Sequence, residues 1–79
     1  MTRDELDAQL LIAHAGEDSE ALVKLYSLAG DQCEAQGDVD AACFYLTHAF
    51  VFALEAGAPE ADGLNKRLVE RGRAHRLKI

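Results

Sequence analysis

The chain has 79 residues, of which 49% are hydrophobic, 28% charged and 6% aromatic, and its net charge is −6. That length allows one small core and no second domain, and the apolar share is too high for a disordered chain. The acidic balance sets the bulk of the chain against nucleic acid and anionic membrane, and no apolar run approaches the roughly 20 residues of a bilayer span.

Alanine and leucine dominate over β-branched residues, so helices are expected throughout. Thr2-x-x-Glu5 reads as a capping box that opens a first helix over 3–15, carrying Leu6, Leu10, Leu11 and Ala13 and stopping at Gly16. Asp18-Ser19-Glu20 starts a second over 19–36, which runs through Leu22, Leu25, Tyr26, Leu28, Ala29 and Cys33 to Gly37. Asp38 caps a third over 39–56, with Val39, Ala42, Cys43, Leu46, Ala49, Phe50, Ala53 and Leu54 inward and Gly57 as its stop. Pro59 suits the first turn of a fourth over 59–72, with Ala61, Leu64 and Leu68 inward. Beyond Gly72 the pattern fades, and residues 73–79 are expected to fray. Loops of two to four residues make consecutive helices antiparallel. The expected fold is all-α, with four antiparallel helices in a single domain over 1–79, arranged as helical hairpins or a small bundle.

Charge is divided along the chain. Residues 1–62 hold 13 acids against Arg3 and Lys24, whereas residues 63–79 hold Lys66, Arg67, Arg71, Arg73, Arg76 and Lys78 against Glu70. Late cations complement the C-terminal end of a helix dipole, and a basic tail could also attract nucleic acid. The acidic N-terminus, Met1-Thr2-Arg3-Asp4-Glu5, has no signal-peptide layout, which predicts a cytoplasmic protein.

In the centre, Tyr26-x2-Ala29-Gly30-x2-Cys33 precedes Ala42-x3-Leu46 and Ala49. This string resembles the tetratricopeptide repeat, whose motif spaces W-x2-L-G-x2-Y ahead of A-x3-F, and Gly37-Asp38 falls where that family often carries Gly-Asp. A mid-helix glycine costs about 1 kcal/mol relative to alanine. Gly30 therefore makes sense where another helix passes close, with Ala42 and Ala49 as small partners across the contact. The full repeat covers about residues 23–56. One 34-residue period back from Ala42, Leu46 and Ala49 lie Ala8, Ile12 and Ala15, so the first helix reads as the second half of a preceding repeat. The fourth reads as the first half of a following repeat, or as a solvating cap. Tyr26 stands in place of the family's tryptophan, Cys33 of its tyrosine and Leu54 of its proline. An unrelated four-helix bundle with the same small residues is the alternative, and both give helical hairpins.

Chemistry is sparse. No glycine-rich phosphate loop, serine nucleophile elbow or H-E-x-x-H motif occurs. Cys43 and His48 are five residues apart, about 140° round a helix, and do not converge with His14 and Cys33 as zinc ligands would. The two cysteines read as small core thiols. Four short helices leave little room for a catalytic pocket of about 300 Å³. Neither enzymatic activity nor a metal or other cofactor is expected.

The resemblance implies instead a non-enzymatic interaction module, a small adaptor or scaffold that binds a partner protein or peptide. The family's groove positions fall on Lys24, Ser27, Asp31, Glu34 and Ala35, a strip suited to a partner of some basic character. Phe44 and Val51, beside Thr47, occupy positions where the family places charged residues. They form an apolar strip expected either in a two-fold homodimer or at a partner site, unless the first or fourth helix folds across it. Two alternatives remain open: a self-assembling helical protein, and a nucleic-acid or ribosome-associated factor using Arg67, Arg71, Arg73 and Arg76.

Overall fold

A computed structural model describes residues 2–72, which form four helices: α1 (Arg3–Ala15), α2 (Ser19–Ala35), α3 (Val39–Ala56) and α4 (Glu60–Glu70). The expected fraying of 73–79, with Arg73 and Arg76, lies outside the described residues. Each of the first three starts is fixed by a side-chain cap. The Thr2 hydroxyl oxygen accepts the Glu5 N–H at 3.2 Å, and the same hydroxyl donates to Glu5 Oε1 at 3.1 Å. Asp18 and Asp38 accept the N–H groups of Ala21 and Ala41, each at 3.1 Å. Pro59 precedes α4 instead of sitting inside it and supplies no side-chain cap.

The two tight turns that join α1 to α2 and α2 to α3 share one backbone path. Gly16 and Gln36 close their helices in the right-handed region, and the next residue turns left-handed, at φ 51° for Glu17 and 79° for Gly37. The first helix therefore stops as expected, but its left-handed position is filled by Glu17, one residue past the glycine.

Neighbours in sequence pack on one another, and α3 is held between α2 and α4. Its Cys43, Leu46, Ala49 and Ala53 are buried against Val23 of α2 and Leu64 and Leu68 of α4. By composition α3 resembles a bilayer span, with a mean hydropathy of 1.3 over 18 residues, yet one side of it is spent on this core. A second cluster joins Leu6, Leu10 and Ala13 of α1 to Leu22 and Ala29 of α2. Gly30 sits at the closest crossing of α2 and α3: a Cβ there would lie 2.7 Å from Leu46 Cδ2 and 3.3 Å from the Ala42 carbonyl oxygen. Among the described residues, no buried side-chain nitrogen or oxygen lacks a hydrogen-bond partner.

Several expected core positions are exposed instead. Leu11 is 72% exposed and Leu54 48%. Ala8, Ile12 and Ala15 also face away from α2. The reason is geometric. On α1, Ala8, Leu11, Ile12 and Ala15 make a stripe at i, i+3, i+4 and i+7 opposite the stripe of Leu6, Leu10 and Ala13. Periodicity reveals both stripes, but α2 covers only the second.

Candidate functional site

Side-chain contacts between alternate helices divide the molecule into two layers, α1 with α3 and α2 with α4. On the α2/α4 side, Arg67 Nη2 reaches Asp31 Oδ1 at 2.7 Å and Glu34 Oε1 at 2.5 Å, and Arg71 Nη2 reaches Glu34 Oε2 at 2.8 Å. These hydrogen bonds, from Arg67 first and Arg71 second, hold the Glu34 carboxyl below its usual range. The expected groove residues are thus split. Asp31 and Glu34 are engaged by the chain's own arginines, while Lys24 and Ser27 line shallow hollows near the start of α4. Arg67 and Arg71, which the nucleic-acid alternative would use, are turned onto these acids.

The α1/α3 side is aromatic and apolar. Tyr26 of α2 is its hub: its ring stacks on His48 at 5.1 Å and on Phe52 at 5.8 Å, and its hydroxyl and His14 Nε2 are hydrogen-bonded at 2.8 Å. Burial, followed by the neighbouring Tyr45, pushes the Tyr26 hydroxyl pKa up. His14 meets Phe52 edge-on at 5.7 Å. Arg3 Nη2 donates to the Tyr45 hydroxyl at 2.8 Å, with its guanidinium over the Tyr45 ring. These contacts seat α1 beside α3.

Outside that seam, α3 presents Phe44 at 59% exposure and Val51 at 45%, with exposed Thr47 between them. Thr47 donates to the Cys43 carbonyl at 2.8 Å, so its hydroxyl is satisfied along the helix. Phe44 leans on His48, ring centroids 4.5 Å apart. An apolar hollow of about 260 Å³ lies between Thr47, His48, Val51 and Phe52. Among the described residues, the five exposed large hydrophobic side chains, Leu11, Ile12, Phe44, Val51 and Leu54, belong to α1 or α3. Neither α1 nor α4 crosses the Phe44–Val51 strip.

Of the six positions that carry the resemblance, Gly30 faces Leu46 and Ala42 across the α2–α3 contact, Tyr26 packs on the cluster that holds Leu46 and Ala49, and Cys33, like Cys43, is a buried free thiol. The histidines considered beside those cysteines belong to the aromatic seam, and no group of three metal-ligating side chains occurs among the described residues. Sequence reasoning missed the seam and the Arg67–Asp31 and Arg67–Glu34 pairs. The only local signal for the seam was the spacing of Tyr45, His48 and Phe52 along one flank of α3. No family model, curated protein or solved structure matches the chain.

Proposed function

We propose that this chain is a non-enzymatic protein-interaction module, a small adaptor of tetratricopeptide-like helical hairpins that engages a partner protein or peptide. One observation carries the reading: among the described residues, every exposed large hydrophobic side chain lies on α1 or α3, and an apolar hollow opens beside Val51 and Phe52. A one-sided apolar patch of that kind marks an interaction surface. The close α2–α3 crossing at Gly30 and the hairpin order are those the resemblance implies. In the α2/α4 layer, by contrast, Asp31 and Glu34 are engaged by the chain's own arginines.

A photo-crosslinking amino acid placed at Val51, compared with one at Glu70 on the opposite layer, tests the reading in the native cell extract. Discrete protein adducts from position 51 and none from position 70 are expected. Absence of adducts from both positions would refute it.

A further inference from the structure

The two hydrophobic clusters divide the molecule unequally. The buried side chains of α1 are Leu6, Leu10 and Ala13, and they share a cluster with Leu22 and Ala29 of α2. The other cluster joins Val23 of α2 to α3 and to Leu64 and Leu68 of α4, and it contains no residue of α1. α4 buries as few side chains as α1, but Arg67 and Arg71 tie it to Asp31 and Glu34. The polar clasps of α1 sit at its two ends, on exposed side chains: Arg3 on the Tyr45 hydroxyl and His14 on the Tyr26 hydroxyl. The turn behind α1 runs from Gly16 to Asp18, and Glu17 holds a φ of 51° there, which a residue with a Cβ adopts at a cost. That strain belongs to the docked state, because the turn relaxes once α1 leaves α2.

We propose that α1 is a strap that opens as one unit while α2, α3 and α4 stay folded. Opening leaves the α2–α3–α4 cluster intact and bares Leu22, Leu25, Leu28 and Ala29 of α2 beside Tyr45 and Phe52 of α3. The occupant of that groove in the closed state is α1 itself, through Leu6, Leu10 and Ala13 at i, i+4 and i+7. Once released, the strap does not persist as a helix, because 13 residues alone are marginal in water. Opening is therefore undocking coupled to melting, and the two end clasps and the strained turn set its equilibrium. It adds to the exposed strip of α3 a second apolar surface that the closed molecule hides.

The test is native-state amide hydrogen exchange on the isotope-labelled full chain, read by NMR. Amides from Asp7 to Ala15 are expected to exchange through one common opening, with protection at least about tenfold below the slowest amides of α2 and α3. Gly63→Ala separates the strap from the rest, since it stabilises α4 in the open and closed states alike. It should raise the protection of those slowest amides roughly two- to fivefold and leave that of α1 unchanged. Arg3→Ala with His14→Ala should lower the protection of α1 by roughly tenfold, and Glu17→Gly should raise it by roughly fivefold. Equal protection of α1 and the slowest amides would overturn the proposal, as would a rise in α1 with Gly63→Ala. Protection that declines residue by residue from Arg3, with no common opening, would make α1 a fraying end and overturn it too. So would exchange in α1 that neither the clasp variant nor the turn variant moves.

Discussion

At Gly30 an added Cβ would lie 2.7 and 2.8 Å from the Leu46 side chain, whereas at Gly63 it would meet nothing within 4 Å. Both glycines lie within helices, where alanine is favoured by about 1 kcal/mol. Gly63→Ala is therefore expected to raise stability by about 0.5–1 kcal/mol. Gly30→Leu is expected to lower it by roughly 2 kcal/mol or more, because Leu46 is fully buried and cannot swing aside. Urea unfolding of the two variants checks both signs. Glu17 is a third case. Its φ of 51° puts an L side chain where the equivalent turn has Gly37, and the left-handed region costs a non-glycine residue about 1–2 kcal/mol. Glu17→Gly should raise the melting temperature by a few degrees, consistent with about 1 kcal/mol in a chain of this size. The sequence made Gly16 visible as a stop but not the strain at Glu17, since which residue of the turn goes left-handed depends on where α2 must begin.

Between elements, the α2–α4 contact through Glu34 governs the acid side of the stability curve. Arg67, and after it Arg71, hold the Glu34 carboxyl below its ordinary value of 4.5 in the folded chain, and unfolding removes both. Glu34 therefore adds stability that is complete above about pH 4.5 and is lost as the pH falls through its lower folded value. Because these side chains are partly exposed, the contribution is on the order of 1 kcal/mol and is reduced by salt. Glu34→Gln should lower the melting temperature at pH 7, and the gap to the unsubstituted chain should close toward pH 3. Thermal melts across that range measure it directly. Arg67 lies 33 residues from Glu34 and 36 from Asp31. No local pattern joins them, so the expected acidic groove and the expected basic helix were legible as charges but not as partners. The helix starts were legible for the opposite reason: Thr2, Asp18 and Asp38 each cap an N–H only three residues away.

On the scale of the whole molecule, the four-helix all-α architecture and the small-residue crossing at Gly30 could be read from the chain because both repeat in the sequence at helical spacing. Which apolar stripes stay bare could not. Leu11 and Leu54 fit the periodicity of a buried face as well as Leu10 and Leu46 do, and only the placement of α2 and α4 separates them. The resulting molecule has two unlike layers, one in which arginines of α4 pair with carboxylates of α2 and one that exposes apolar side chains. That exposure is tested most directly by thermal unfolding of the double variant Phe44→Glu, Val51→Lys. If the α1/α3 layer is a surface, each substitution changes stability by no more than about 0.5 kcal/mol, and the variant should melt cooperatively within roughly 4–8 °C of the unsubstituted chain. Loss of the cooperative transition would mean that the strip is part of the core.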